Sequence, residues 1–457
     1  MMELSLNRLG RRRFVASTLA AAAPRPAAGR KPNIVLIAAD DLGYADLNVC
    51  GDASIHSPNL DSMAAEGVRF TDFTVSWPAC TPSRSSILTG RYPQRNGLYD
   101  MIRNNEVNWK FQYDEEGYAV SPEMTIGMDV REVTLGQVMK SAGYATGAVG
   151  KWDGGRARRF LPLQRGFDYY YGFANTGIDY YTHERYGVAS MFRGNDRIRE
   201  EGHATDLFKR EALRFLEENR SRPFFLYLPF NAPHGASTFR KEDPQAPAEY
   251  MAMYKGDRRA QYKALVTHMD AAVGEILAQV KQYGLDNDTL VVFISDNGGS
   301  GQRNGPLRGG KATLWEGGVR VPLIARWPGR IPAGAVRDEF ASTLELLPTF
   351  AALAGAELPR GVKMDGFDMM PLLEGKSGPG RAEMFYQQKA NRSARVGKWK
   401  WIDSIYGKGL FDLSKDPGEA ADLRDSNPAK ASEIESRWMA WRREMDGADP
   451  RGPFRDY

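Results

Sequence analysis

The stretch Pro32-Asn33-Ile34-Val35-Leu36-Ile37-Ala38-Ala39-Asp40-Asp41-Leu42-Gly43 decides the fold. The run ending at Ala39 is continuously apolar and rich in β-branched residues, with none of the alternation of a strand that has one wet face. That pattern predicts a strand buried on both faces. It stops at two adjacent carboxylates. Related runs recur downstream. Tyr144 to Gly150 predicts a short strand with Lys151 at its end, and Pro223 to Leu228 one that runs into Asn231-Ala232-Pro233-His234. Thr289 to Ile294 predicts another, ending at Ser295-Asp296-Asn297-Gly298.

Helical patterns separate these strands. A helix opens at Ser57-Pro58-Asn59-Leu60-Asp61 and closes at Gly67, and others are expected over Ser83 to Thr89, Thr134 to Ala142, Ala204 to Asn219 and Tyr262 to Tyr283. Strands alternating with helices imply an α/β fold, a mostly parallel sheet covered on both faces. The polar candidates stand at strand C-terminal ends, where open α/β sheets place their ligands. Beyond Pro371-Leu372-Leu373-Glu374-Gly375 a Lys/Gly/Pro/Ser-rich linker leads to a different pattern. Ser393 to Asp403 alternates as one exposed strand, Gly409 to Leu413 as another, and Lys430 to Met445 reads as a helix. The expected organisation is a catalytic domain over 29–375 and a small α+β subdomain on an antiparallel sheet over 376–457. Trp399, Trp401, Trp438 and Trp441 read as the core of that subdomain, with a sugar platform as the alternative.

At 457 residues, 42% hydrophobic and 26% charged, the chain has room for one large domain and a small one. Residues 1–28 stand apart. Arg11-Arg12-Arg13-Phe14-Val15 resembles a twin-arginine export signal, followed by an apolar stretch too short to span a bilayer. Five arginines and one glutamate give this segment a net +4, the whole of the chain's formal charge. The remainder is therefore near neutral and carries no electrostatic case for nucleic-acid binding. No later stretch has the ~18 apolar residues that predict a membrane span. Export to the periplasm or the exterior is the expected localisation. Cys50 and Cys80 are the only cysteines.

Cys80-Thr81-Pro82-Ser83-Arg84, followed by Leu88-Thr89-Gly90-Arg91, resembles the signature of the type I sulfatases. Other segments carry the same resemblance: AADDLGYADL from Ala38, FISDNGG from Phe293, Gly150-Lys151-Trp152, Ala232-Pro233-His234, LRGGKATLWEGGVRVP from Leu307, and Asp412 to Glu419. It spans Pro32 to about Asp425 and implies an alkaline phosphatase-like fold. It implies that a formylglycine-generating maturation enzyme, reading Pro82 and Arg84, converts Cys80 to formylglycine (3-oxoalanine). It further implies a Ca²⁺ site at Asp40, Asp41, Asp296 and Asn297, completed by an oxygen of the converted Cys80. Hard oxygen donors of this kind suit Ca²⁺ on chemical grounds.

By the same resemblance Arg84, Lys151 and Lys311 balance charge on a bound sulfate, and His234 or Lys311 protonates the leaving oxygen. Lys151, His234 and Lys311 are expected to touch substrate, and His183, in an Asp-Tyr-Tyr-x-His run, is a further candidate whose alternative is a structural hydrogen bond. One position departs from the family: Asp153 stands where a histidine is usual. A carboxylate cannot donate to sulfate unless protonated, but it can serve as a base. Two readings stand for Asp153, a base in turnover and a group that orients Lys151 or Arg156. The implied activity is hydrolysis of sulfate monoesters, with sulfated carbohydrates as substrates. The alternatives are a phosphonate or phosphate ester hydrolase of the same superfamily, and an inactive sulfated-glycan-binding protein.

Overall fold

The computed structural model describes residues 31–102, 116–117, 120–240, 243–300, 304–378 and 380–448; the expected export signal lies outside them. Five parallel strands form the middle of a ten-stranded sheet, in the order Thr289–Ser295, Asn33–Ala39, Phe224–Pro229, Ala145–Lys151 and Tyr169–Phe173. Antiparallel strands Leu323–Arg326 and Met191–Arg193 flank them on the two sides.

Asn33–Ala39 lies at the centre, and every one of its residues is buried. Its pleat sends Ile34, Leu36 and Ala38 into one core, with Ile87, Leu135, Met139 and Phe350. Val35, Ile37 and Ala39 enter the other core, with Leu60, Phe208, Val266 and Val273. Each fully buried Val, Leu or Ile contributes roughly 1.5–3 kcal/mol relative to exposure, which is why this segment has no polar alternation.

The covering helices follow their sequence signals. Ala204–Asn219 buries Ala204, Leu207, Phe208, Glu211, Ala212, Phe215 and Leu216, one face of a 3.6-residue repeat. His203 caps it, with its side chain accepting from the Thr205 N–H. Ala260–Gln282 packs closely on Pro58–Ala65, and a Cβ on Gly274 would lie 2.2 Å from Asn59 Oδ1. Asp270 from the long helix accepts from the Asn59 and Leu60 N–H groups, satisfying two donors at the start of the short one. The helix expected from Ser83 begins earlier, at Cys80, and runs to Thr89 with all its residues buried. Pro82 is tolerated because the N–H groups of a helix's first turn have no intrahelical acceptor. Gly90, in the left-handed region at φ 65°, ends it.

The C-terminal subdomain is an antiparallel meander of Glu383–Gln388, Asn391–Val396, Trp399–Ser404 and Gly407–Asp412, with helix Pro428–Asp446 packed on it. The single exposed strand expected over Ser393 to Asp403 is in fact two strands, mostly buried and joined at Gly397-Lys398, with Gly397 at φ 55°. Trp401, Trp438 and Trp441 are buried. Trp441 stacks on Phe385 and meets Tyr92, from the part that carries the large sheet, edge-on at 5.3 Å. These tryptophans form core and interface rather than an open platform.

Charge also joins the two parts. Lys400, fully buried, lies 2.9 Å from both Glu316 Oε1 and Glu419 Oε1, and Glu419 Oε2 accepts from the Glu316 N–H at 2.6 Å. Removing one partner of a buried ion cluster strands the others, at a cost of about 3–5 kcal/mol. Lys400→Met should therefore lose roughly that much stability in urea denaturation. A loss below about 0.5 kcal/mol, the range of ordinary surface changes, would show that the cluster does not join the two parts.

Candidate active site

Four parallel strands deliver their C-terminal ends to one place. Asp40-Asp41 follow Asn33–Ala39, and Asp296-Asn297 follow Thr289–Ser295. Ala39 pairs with Ser295, so Asp40 and Asp296 emerge side by side. Lys151 is the last residue of its strand. His234 comes from the loop after Phe224–Pro229, a loop tied back by the Asp40 N–H donating to the Ala232 carbonyl at 3.0 Å. Cys80 opens helix Cys80–Thr89 at the positive end of its dipole. Lys311 arrives on a loop held by two backbone bonds, Lys311 N–H to Gly299 O and Ala312 N–H to Pro78 O. Gly298 is needed here because a Cβ would stand 1.8 Å from the Gly317 carbonyl oxygen.

Cys80 Sγ lies 3.5 Å from Asp40 Oδ1, and Lys311 Nζ donates to Sγ at 3.3 Å. Lys311 also bonds Asp41, at 2.8 Å to Oδ2, and Lys151 bonds Asp40 Oδ2 at 2.7 Å. Arg84 grips Asp296 through Nε and Nη2, both 2.7 Å from Oδ2. Asn297 Nδ2 donates to Asp41 Oδ1 at 2.7 Å, and Ser300 Oγ to Asp41 Oδ2 at 2.9 Å. Asp41 reaches these partners from a left-handed backbone, φ 65°, a conformation that Asp tolerates better than most residues.

Burial and pairing set the protonation states. Burial alone would raise the Asp41 carboxyl, but Lys311, His234 and the Asn297 hydrogen bond hold it well below the usual range. Lys151 is raised: burial would lower it, and Asp40 more than reverses that. Burial pushes the Cys80 thiol far up, against the pull of Lys151 and Lys311, so the thiol as encoded is not a thiolate nucleophile. His234 is pushed down to about 3 by burial and then by Lys311. It is a neutral imidazole whose Nδ1 donates to the Gly235 carbonyl at 2.5 Å, with Nε2 3.8 Å from Asp41 Oδ2.

Asp153, the departure from the family pattern, faces inward. It is buried at φ 54°, accepts from Thr81 Oγ1 at 2.9 Å, and lies 3.8 Å from Lys151 Nζ. Burial raises it to about 6, against the pull of Lys151 and Arg84. By formal charge, Asp40, Asp41, Asp153 and Asp296 outnumber Arg84, Lys151 and Lys311 by one. Asn297 Oδ1 is buried without a hydrogen-bond partner. Convergent hard oxygens, an orphaned amide oxygen and a negative excess fit Ca²⁺, with Asp40, Asp41, Asp296 and Asn297 as holders. A dication would reverse the sign and make the site attractive to an anion.

A cleft of about 400 Å³ opens over this cluster, with Cys80, His234, Ser300 and Lys311 in its wall. The structure thus brings together Asp40, Asp41, Cys80, Arg84, Lys151, Asp153, His234, Asp296, Asn297 and Lys311. His183 is placed differently. Its Nε2 is 2.9 Å from the Gly202 carbonyl, it is 3% exposed, and it is not among the cleft-lining residues. Sequence reasoning missed Ser300, although it follows directly on Asp296-Asn297-Gly298-Gly299, and it missed Thr81, next to Cys80. It also missed Arg185, Tyr186 and Lys389, which line the same cleft and carry no local signal.

The comparisons with known proteins agree with this geometry. The Sulfatase family model matches residues 32–356, and the model for the N-sulphoglucosamine sulphohydrolase C-terminal region matches 310–440. Dog N-acetylgalactosamine-6-sulfatase is 34% identical over 412 residues, 84% of this chain and 74% of that protein. Human arylsulfatase A is 34% identical over 471 residues, 89% of this chain and 86% of that protein. The crystal structure of Ps i-CgsB in complex with k-i-k-neocarrahexaose superposes with a TM-score of 0.80 at 32% identity, covering 90% of this chain and 93% of that one. With two family models, relatives in common over most of its length and a matching solved fold, the chain belongs to the sulfatase family of the alkaline phosphatase superfamily and is a sulfuric ester hydrolase.

Proposed function

We propose that the protein removes sulfate from sulfated carbohydrates, using a formylglycine formed from Cys80 and Ca²⁺ held by Asp40, Asp41, Asp296 and Asn297. The observation that carries this reading is the packing of Cys80 against Asp40, Asp41 and Lys311 at the base of a cleft, beside an unpartnered Asn297 Oδ1. The carbohydrate assignment is supported by the relatives that share this site's sequence, an N-acetylgalactosamine-6-sulfatase and a protein crystallised with a neocarrahexaose. When present, the hydrated aldehyde supplies the attacking oxygen and the metal supplies Lewis acidity.

The chain's own residues do the rest. Lys151 and Arg84, buried and fixed by Asp40 and Asp296, hold positive charge where the sulfuryl oxygens gain negative charge. Lys311 Nζ, 3.3 Å from Cys80 Sγ, is the protonated donor nearest the reacting position and is assigned to the leaving oxygen. His234 lies in the cleft wall and contacts the sulfate ester. Arg84 and Pro82 are buried in the folded protein, so a maturation enzyme that reads them acts before the chain closes over Cys80. Export through residues 1–28 belongs to the same proposal.

Asp153 is assigned a positioning role. Its Oδ1 is taken by Thr81, and its buried Oδ2 lies 3.8 Å from Lys151 Nζ, the cation it would orient. Asp153→Asn should therefore raise KM for a chromogenic aryl sulfate with little change in kcat, and rapid mixing should show no burst. A stoichiometric burst followed by slow turnover would instead make Asp153 the base for the second step.

Two further outcomes test the main reading. Peptide mass spectrometry after co-expression with the maturation enzyme should find the Cys80 thiol replaced by an aldehyde, and Cys80→Ala should abolish aryl sulfate turnover while aryl phosphate remains a poor substrate. Full activity in Cys80→Ala would refute the proposal. Chelation should lower activity and the thermal midpoint together, and Ca²⁺ should restore both. Asn297→Leu should weaken Ca²⁺ binding by calorimetry; affinity equal to wild type would remove Asn297 from the metal site.

A further inference from the structure

The rim of the cleft carries more positive charge than one sulfate requires. Apart from Lys311, its lining among the described residues includes Arg185, paired from behind with Glu123, and Lys389, against one carboxylate, Asp100. Lys311 is already engaged with Asp41 and position 80. Arg185 is 5% exposed and rigidly framed, with Nε donating to Glu123 Oε1 at 2.8 Å and Nη1 to Ser237 Oγ at 3.1 Å. Among the described residues Nη2 has no protein acceptor. A guanidinium held in this way is set to donate to an oxyanion rather than to search for one.

The backbone points the same way. Arg185 and Tyr186 belong to the hairpin of Glu184–Arg185 with Val188–Ala189, and Lys389 to the hairpin of Glu383–Gln388 with Asn391–Val396. Both connections are two-residue turns, Tyr186-Gly187 and Lys389-Ala390. At their first positions the turns hold Tyr186 at φ 48° and Lys389 at φ 55°, where glycine or asparagine is the default. A tyrosine and a lysine kept at such positions cost of order 1–3 kcal/mol each unless the surroundings over-determine them. Both side chains reach the cleft, one from each part of the molecule. The Tyr186 ring packs against Phe239 at 5.2 Å, with the Arg185 guanidinium 5.2 Å from its centroid.

Building on the sulfatase reading above, we infer that the substrate carries a second anionic group, a carboxylate or another sulfate, on or next to the sugar that bears the scissile sulfate. Arg185 binds that group, Lys389 closes on it from the rim, and Tyr186 supports the sugar face. The scissile ester itself needs neither cation.

The test separates binding from turnover. Calorimetry on the full chain with Cys80→Ala and Ca²⁺ avoids cleavage. The probes are N-acetylgalactosamine 6-sulfate, N-acetylgalactosamine 4,6-disulfate and a 6-sulfated disaccharide carrying a uronate. At least one doubly charged probe should bind about tenfold more tightly than the singly charged one, a difference of ~1.4 kcal/mol that shrinks with added salt. The disulfate and uronate arms identify which second anion is read. Lys389→Gly, which also relieves the turn, and Glu123→Gln with Arg185→Gln, which removes both partners of that ion pair, should each reduce the preference severalfold and together erase it, with affinity for the singly charged probe kept. Equal affinity of wild type for all three probes, or a preference that survives the combined variant, overturns the inference. Sulfate release from the same probes by the matured wild-type enzyme is measured in parallel. Its absence, with the binding preference intact, would count against the sulfatase reading and not against the second-anion site.

Discussion

The site is governed by the cost of keeping like charges out of water. Asp40, Asp41, Asp153 and Asp296 are each at most 3% exposed and lie within one small volume. Removing an ion from water costs several kcal/mol even after relaxation, and a paired charge at ~4 Å recovers about 4 kcal/mol at an effective dielectric of 20. Each carboxylate therefore has its own cation or donor: Lys151 for Asp40, Lys311 and Asn297 for Asp41, Arg84 for Asp296, Thr81 for Asp153. These requirements explain local features that propensity alone would not favour. Asp41 and Asp153 adopt left-handed backbone, and helix Cys80–Thr89 is buried along its whole length so that Arg84 can reach Asp296 from within the protein. The balance is incomplete by one negative charge, and that remainder gives a cation and then an anion a reason to enter.

The parallel core was legible because burial on both faces leaves an unmistakable trace, an apolar run that ends sharply at a polar residue. Asn33–Ala39 and Thr289–Ser295 both read that way, and the residues just past their ends are the ones that converge. Helix Ala204–Asn219 was legible to the residue because its 3.6-residue pattern starts after His203 and continues unbroken. The subdomain was harder. Asn391–Val396 and Trp399–Ser404 meet across the two-residue turn Gly397-Lys398, which pairs Val396 with Trp399 and so shifts the faces by one residue, but both strands are buried too continuously for that shift to stand out in the sequence. The floor of the site was readable from motifs at strand ends. Its rim was not, because Arg185, Tyr186 and Lys389 owe their place to two hairpins whose meeting depends on domain packing. His183 is the converse case: its motif pointed to the site, and a backbone carbonyl took its ring.

The subdomain does more than close one face of the sheet. Lys311 sits on a loop running from Leu307 to Glu316, and the far end of that loop is held from the subdomain. Glu419 accepts from the Glu316 N–H, its own carbonyl accepts from Arg308, and Lys400 pairs with Glu316 and Glu419 together. Arg308 in turn lies flat over Trp315, its guanidinium 3.7 Å from the ring centroid. Glu419 achieves this from a left-handed backbone at φ 53°, and burial pushes its carboxyl up to about 7 with Lys400 opposing. With Gly309-Gly310 in it, this loop has little intrinsic reason to hold one shape. Here it is held from two sides, by Gly299 and Pro78 at Lys311-Ala312 and by Glu419 and Lys400 of the subdomain at Glu316. The loop that carries the cation touching Cys80 is therefore held in part by residues about a hundred positions later in the chain. The same sheet carries Lys389 to the mouth of the cleft. Floor and rim are thus coupled through one small meander, and any change that lifts it from the large sheet's side must disturb the neighbour of Cys80 and the entry to the cleft together.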